Sequence, residues 1–414
     1  MRIVILGAGI VGVSSAYFLA RDGHEVVVVD REGEVGQDAS AANAGLIAPG
    51  HSYAWASPAA PKMLVRSLAG EKTSIRVKAR LDPQLVSWGL RFLRECTTHR
   101  AKRNTLVKHK LCQFSHRTLN DVARREHIDY AAETAGIFYL YGNKAELDAG
   151  WAKTTLLRDD GEDLQLLDPA GVVAREPVFA PVQDQMAGAI FGATDASGDC
   201  EKYCVGLAAA CRVLGVEFQL GRTINGLRRD GNRVVAVQTT TGDIVADGYV
   251  LALGTGSAAI GRTVGLKVPV YPAKGYSATF PIKDSDGCPH VGGVDETTLV
   301  AWSRLGDKLR MSSTAEFAGY DRSWKPDDFA AVLETGKRLF PNAAHWDRGA
   351  YRACLRPMTP DGPPIIGHSE LDNLWLNTGH GHMGWTMGPG AGALIADVVS
   401  GRPPAINLTG MGAR

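Results

Sequence analysis

Two regimes of apolar patterning alternate along this chain. Ile3 to Leu6 and Val26 to Val29 are unbroken β-branched and aliphatic runs, the pattern of short strands buried on both faces of a parallel sheet. Between them Val13, Ala16, Tyr17 and Ala20 recur at helical spacing until Gly23 ends the helix, so Arg2 to Asp30 is predicted to form a complete βαβ unit. Helical patterns return at Leu111–Arg125, Asn143–Asp159, Asp199–Leu214, Asp327–Phe340 and Gly390–Ser400, with Val205, Leu207, Ala208 and Cys211 on the apolar side of the third. Strand patterns fall at Val216–Leu220, Thr223–Leu227, a hairpin from Gly231, Asp247–Leu253 and Asn373–Asn377. Tyr130–Leu140, Pro269–Phe280 and two strands around the Gly306-Asp307 turn within Leu299–Phe317 predict a second, mostly antiparallel sheet. The expected fold is α/β plus α+β: a Rossmann-type nucleotide-binding domain from residues 1–80, 191–268 and 353–414, interleaved with a second domain from 81–190 and 269–352.

Composition narrows the function classes. With 414 residues the chain is long enough for two or three domain-sized units, and 45 Lys+Arg against 44 Asp+Glu give no global argument for a nucleic-acid partner. Seven scattered cysteines without a C-x-x-C pair argue for a reducing compartment and against a disulfide framework or zinc ribbon; Cys200 and Cys204, one turn apart, read as core packing, and no metal site is expected. A strand starting at the second residue leaves no room for a signal peptide, and no apolar run reaches the roughly 18 residues of a membrane span. A cytoplasmic protein is expected. The one local imbalance is Lys62–Lys110, with thirteen Lys/Arg against three acids and with Trp88, Leu90, Phe92 and Leu93 interleaved. It reads as a solvated helix face or as a peripheral contact on the inner face of the cell membrane.

The chemistry starts in the first unit. Gly7, Gly9 and Gly12 have the G-x-G-x-x-G spacing: the first permits the tight turn, the second lets backbone approach a pyrophosphate, and the third lets helix pack on strand. The helix opening at Ile10 and Val11 offers free N–H groups to the anion, and Asp30 stands at about the 20-residue offset of a ribose-hydroxyl acceptor. That carboxylate would repel a 2′-phosphate, which excludes NADP. The loop Arg31–Gly50 is rich in small residues and can lie against a ligand through Ser40, Asn43 and Gly45, or serve as a plain surface loop. Gly254 and Gly256 place flexible backbone at a strand's end, where ligands collect. Near the C-terminus Arg356 precedes a glycine-rich turn, Gly379 to Gly384, that enters a helix. A fixed arginine suits a carboxylate, which it grips with two parallel hydrogen bonds, although pairing with Asp361 is the alternative.

GAGIVGVSSAYFLARDGHEVVVVD, SAANAG, PVYPAKGYS, LRPMTPDGPPIIG and NLWLNTGHGHMGWTM, in that order, resemble the small subunit of bacterial D-amino acid dehydrogenases, within the superfamily of D-amino acid oxidase, glycine oxidase and monomeric sarcosine oxidase. The resemblance implies FAD, an FAD domain interleaved with a substrate domain, and oxidation of an amino acid's Cα–N bond. It implies that Gly7, Gly9, Ile10, Val11 and Gly12 hold the pyrophosphate, Asp30 and Arg31 the adenosine ribose, and Ser40, Asn43, Ala44, Gly45 and Leu46 the flavin side. Ile224 would meet the adenine through its backbone, Gly254 would line the FAD groove, and Gly379, Gly381, Met383 and Gly384 would face the pyrimidine edge. Arg356 would bind the substrate carboxylate, with Tyr276 and His382 as pocket groups and His380 shaping the flavin turn; packing alone is the alternative for these three. His382 and Met383 depart from the small polar residue and Leu usual in these dehydrogenases. Cys354 has the spacing at which sarcosine oxidases attach flavin, or is a small buried hydrophobe.

The implied reaction is oxidative deamination of a D-amino acid to a 2-oxo acid and ammonia. Hydride would pass from Cα to flavin N5 with the amine neutral and the carboxylate fixed, and electrons would go on to a quinone or other carrier. A D-proline or hydroxy-D-proline dehydrogenase, an oxygen-using glycine or sarcosine oxidase and a non-catalytic nucleotide-binding module are the alternatives.

Overall fold

The computed structural model describes residues 1–68, 75–77 and 81–413. The first unit folds as its pattern dictates: strand Arg2–Leu6, helix Ile10–Arg21 and strand Glu25–Val29. The two strands pair in parallel, Arg2 opposite Glu25 and Leu6 opposite Val29. They are the centre of a six-stranded sheet whose order is Ile365–His368, Leu374–Thr378, Gly248–Leu251, Arg2–Leu6, Glu25–Val29 and Glu217–Gln219. Only the Ile365–His368 edge strand runs antiparallel to its neighbour. On one face pack the helices Ile10–Arg21, Thr98–Arg125, Cys200–Val213 and Gly384–Val399. The other face is covered by a three-stranded antiparallel ribbon, Ile224–Asp230, Arg233–Thr239 and Gly242–Ile244, and by helix Ser257–Arg262.

A second sheet of nine strands orders Ala350–Met358, Tyr271–Pro281, Lys308–Phe317, Val300–Leu305, Gly292–Asp295, Ile137–Tyr141, Gly188–Gly192 and Leu164–Leu167, with Ile75–Val77 beside Lys308–Phe317. It is antiparallel apart from the pairs Gly292–Asp295 with Ile137–Tyr141 and Ile75–Val77 with Lys308–Phe317. Its core is aromatic, built on Phe138, Phe179, Trp302, Phe329 and Phe340. The mixed α/β architecture is that of the expected class.

Four local expectations are corrected. The helix read at Leu111–Arg125 starts at Thr98, because Thr97 caps it and its polar first half has no breaker. It falls in the stretch expected for the second domain, yet Leu111, Cys112, Leu119 and Val122 are in the core of the first sheet: helical periodicity reports a buried face, not the layer that buries it. The C-terminal helix begins at Gly384, not Gly390, running through the glycine- and proline-rich GWTMGPG. Those glycines are contact points between helices. A Cβ on Gly388 would lie 2.9 Å from Ile10, one on Gly392 2.6 Å from Ser14, and one on Gly390 2.6 Å from Ser115, so close helix packing outweighs poor helix propensity. Finally, Val205 faces solvent while Cys200, Tyr203, Cys204, Leu207, Ala208 and Cys211 form the buried side.

Candidate active site

One continuous cavity of about 1440 Å³ runs between the two sheets. At its first end Gly7, in the left-handed region at φ 113°, turns the chain beneath Ala252, and a Cβ on Gly12 would occupy the Gly7 carbonyl oxygen. Glycine is therefore obligatory at both positions, since the backbone of the turn itself fills the space. The following helix has no side-chain cap of its own; Ser40 Oγ accepts from Ile10 N at 3.0 Å. Asp30 accepts from Ala8 N at 2.6 Å and from Glu32 N at 2.9 Å, which fixes its carboxylate at the cavity wall. Gly7, Gly9, Ile10, Val11, Asp30, Arg31, Ile224 and Gly254 all line this end, while Gly12 acts from behind it.

Further along, the loop after Asp30 is held by its own side chains: Asn43 Nδ2 donates to Ser40 O at 2.6 Å and Asn43 Oδ1 accepts from Gly45 N at 2.8 Å. Ser40, Asn43, Ala44 and Leu46 line the cavity. Gly45 does not; at φ 79° it packs on Ser303, whose hydroxyl donates to Ala44 O at 2.7 Å. Across from this loop stand Cys354, Arg356, His380, Gly381, His382, Met383 and Gly384. Gly379, at φ 81°, shapes the turn from outside the lining, its Cβ position already filled by Thr359.

Burial sets the electrostatics here. It lowers the pKa of Arg356, which as a guanidinium stays a cation, and pushes the His380 imidazole down to about 3, leaving it neutral across physiological pH. His382 is also held well below its usual value, by burial first and then by Lys108, His51 and Arg356, and its ring stacks on Trp55 at 4.8 Å. Burial raises the Cys354 thiol, which lies 3.8 Å from Ala42 O. Tyr276 is corrected: it does not line the cavity, and its hydroxyl donates to Glu316 Oε2 at 2.7 Å while its ring packs on Phe329 in the core of the second sheet. Alternation along strand Tyr271–Pro281 turns it to the opposite face from the cavity.

Sequence reasoning missed a third group, brought in by tertiary folding alone: His51, Tyr53, Trp55, Tyr139, Glu296, Asn377 and Trp385. Asn377 and Trp385 lie inside the motif NLWLNTGHGHMGWTM, and no short motif marks the other five. Their signal is polar atoms left over. His380 Nε2, Asn377 Oδ1, Trp385 Nε1 and the Tyr53 hydroxyl are buried without a hydrogen-bond partner among the described residues, and all four residues line the cavity. Leaving such groups unpaired costs about 1–3 kcal/mol each, so the cavity is built for a ligand with matching polar edges.

The FAD dependent oxidoreductase family model (DAO) matches residues 2–398. The chain belongs to this family. It is 42% identical over 412 residues to "D-amino acid dehydrogenase 2" of Mesorhizobium japonicum, covering 99% of both chains, and 41% identical over 413 residues to "D-amino acid dehydrogenase" of Paramagnetospirillum magneticum, covering 100% of this chain and 98% of the relative. The fold is that of glycine oxidase from Geobacillus kaustophilus (TM-score 0.76, 23% identity, 100% and 98% of the two chains) and of iminodiacetate oxidase from Chelativorans sp. (TM-score 0.75, 22% identity, 100% and 99%). The family's cofactor fits what the cavity presents: helix N-termini at Ile10 and Gly384 whose own N-cap residues supply no side-chain cap, glycine turns at Gly7 and Gly381, and buried polar atoms between them that are unpaired among the described residues. The protein is an FAD-dependent oxidoreductase.

Proposed function

We propose that the protein oxidises D-amino acids to 2-oxo acids and ammonia and passes the electrons to a quinone or other carrier. The near full-length identity to proteins named D-amino acid dehydrogenase carries this reading. Bound FAD would supply the two-electron acceptor. Gly7, Gly9, Ile10, Val11 and Gly12 would hold its pyrophosphate, Asp30 and Arg31 its ribose, Ile224 and Gly254 the adenine side, and Ser40, Asn43, Ala44, Gly45, Leu46, Gly379, Gly381, Met383 and Gly384 the flavin side. Asn377 joins them, its Oδ1 being buried with no hydrogen-bond partner among the described residues.

Arg356 is assigned the substrate carboxylate, and fixing that group aims the Cα–H. Neutral His380 and His382 add no positive charge next to a substrate whose amine must itself lose its proton, a step solvent performs at the open cavity before the reaction. Water then hydrolyses the imine. Turnover of a panel of D- and L-amino acids, D-proline, hydroxy-D-proline and N-methyl glycines with an artificial dye tests the reading. A D-amino acid best substrate with little peroxide is expected; rapid peroxide without dye would move the protein to the oxidases, and exclusive turnover of cyclic imino acids would move it to D-proline-type dehydrogenases.

A peripheral membrane contact is proposed for the helix Pro83–Glu95. Its Trp88 is anchored inside by a 2.9 Å bond to Met358 O, while Val86 and Leu90 remain about 60% exposed beside Arg91 and Arg94. Among the described residues no helix is long and apolar enough to cross a membrane. The basic run is not one surface, because Lys108 is buried and donates to Tyr53 O at 2.9 Å. Binding to anionic vesicles that weakens as salt rises is expected, since exposed charges are screened beyond about 8 Å at physiological ionic strength; no binding at low salt rejects the contact.

A further inference from the structure

The lining that holds Arg356 also includes an arm, a cluster of aromatic and polar side chains that the carboxylate clamp leaves unused. His382 joins the two parts: it lies within the electrostatic reach of both Arg356 and His51 and stacks on Trp55. Beyond it the walls are aromatic. The His51 ring stacks on Tyr139 at 4.9 Å and meets Tyr53 edge-on at 6.0 Å. Tyr139 is pinned from behind, its hydroxyl donating to Asp195 Oδ2 at 2.7 Å while Asp195 Oδ1 accepts from Gly50 N at 2.9 Å, so this wall is rigid.

Three polar groups end the arm. Glu296 pairs with His51 Nε2 through Oε1 at 3.0 Å; burial alone would raise its pKa, but His51 and then Lys153 outweigh burial and keep it ionised. Its Oε2 makes no hydrogen bond within the described residues. Lys153 reaches in from helix Lys144–Arg158 and lays its Nζ 3.9 Å over the Tyr53 ring, forming no ion pair with any described residue. The Tyr53 hydroxyl is buried with no partner among the described residues. The arm thus presents two free donors and one free acceptor behind an aromatic corridor, in the same cavity as the clamp.

We infer that this arm is a side-chain subsite for a carboxamide: Lys153 Nζ and Tyr53 Oη donate to the carbonyl oxygen, and Glu296 Oε2 accepts from the NH₂. This rests on the D-amino acid reading and deepens it to D-amino acids with a terminal amide. The charge pattern disfavours the neighbouring chemistries. A side-chain carboxylate would gain Lys153 but also meet Glu296, and an ammonium would gain Glu296 but also meet Lys153, a like-charge contact in each case that the neutral amide avoids, while an aliphatic chain would leave all three polar groups unpaired. A site built to hydrogen-bond a substrate group rejects the analogue lacking it far more strongly than an apolar pocket rejects an extra methylene.

The holoenzyme is assayed with D-glutamine, D-glutamate, D-lysine and D-norleucine, and binding of each is followed separately by perturbation of the flavin absorbance. For D-glutamine kcat/KM is expected to exceed the other three by roughly tenfold or more. Tyr53→Phe and Glu296→Gln should each reduce the D-glutamine to D-norleucine ratio about tenfold, and Glu296→Gln should raise D-glutamate relative to D-glutamine. Lys153→Met, on an accessible helix face, gives the same readout should either inward variant fail to fold. Equal turnover of D-glutamine and D-norleucine by the wild type, or a ratio unmoved in the folded variants, overturns the subsite. Absence of turnover with every D-amino acid together with amide-selective flavin perturbation would reject the dehydrogenase reading while retaining the subsite; absence of both rejects the two together.

Discussion

At one end of the cavity Gly7, Gly9, Gly12 and Asp30 come from a single stretch of 24 residues, and their positions follow from local backbone geometry. At the other end His51, Lys153 and Glu296 come from three separate segments: a 3₁₀ turn, a helix and the residue after a strand of the second sheet. The first end depends on what is missing, side chains that would fill the turn. The second depends on what distant packing brings together. Changes at the first should therefore act on folding and cofactor retention, and changes at the second on substrate choice with the fold intact.

Gly12→Ala should break that comparison's first half most severely. Its Cβ has only the Gly7 carbonyl to displace, backbone that cannot swing away as a flexible side chain would. A loss of about 4 kcal/mol in urea unfolding is expected, with flavin lost in parallel; a variant of normal stability and flavin content would show that the turn relaxes.

His109→Leu should come next, by an unrelated route. Fully buried, His109 donates from Nδ1 to Asp160 and from Nε2 to Glu162, both at 2.8 Å, and Glu162 also accepts from Gln113 at 3.1 Å and Thr194 at 2.9 Å. Burial would lower the imidazole pKa, but its bonds to Glu162 and Asp160 raise it; burial would raise Glu162, but His109 and Thr194 lower it. The raised histidine stabilises the fold fully below its unfolded pKa near 6.5, and that contribution fades as pH rises through the folded value. Removing one member of the buried pair should cost about 3 kcal/mol, more at pH 6 than at pH 9 by chemical denaturation. A loss that grows with pH would contradict the assignment. Because this cluster joins helix Thr98–Arg125 to the edge of the second sheet, the surviving folded fraction should keep its substrate preference.

Arg356→Ala should lower kcat/KM on the best D-amino acid on the order of 10²-fold while FAD is retained, since an unclamped substrate no longer points its Cα–H at the acceptor. Arg356→Lys keeps the charge but loses the two-pronged geometry and should recover only part of this. Near-normal turnover in the alanine variant would remove Arg356 from the site.

Asp30→Ala should have the smallest effect of the four, about a tenfold loss of FAD affinity, or ~1.4 kcal/mol, in equilibrium dialysis of the refilled apoprotein. Part of that loss comes from the Ala8 and Glu32 amides, which lose their acceptor. Unchanged affinity would mean that the ribose is held elsewhere.

The nucleotide end was legible in the sequence because its determinants are local. A strand of four buried aliphatics, three glycines, a helix and an acid must occur in that order and spacing for the turn to close, and each leaves its mark within 30 residues. The same holds for the hairpin at Gly306-Asp307; Arg356 lines the cavity, and its role as the carboxylate clamp remains a proposal. Tyr276 was misread because a resemblance names a strand without fixing which of its faces meets the ligand. A shift of one residue moves every side chain to the other face, and the Tyr276 bond to Glu316 with its ring packed on Phe329 settled it. The GWTMGPG helix was cut short because local propensity opposed it, and only the Ile10, Ser14 and Ser115 contacts explain why glycine is required there. Glu296, His51, Tyr53 and Lys153 had no sequence signature of any kind. Local chemistry determined the phosphate turn and the order of the elements. Only the folded structure could decide which buried polar atoms went unpaired and met in one cavity, since partnership across hundreds of residues is a property of packing and leaves no period in the chain.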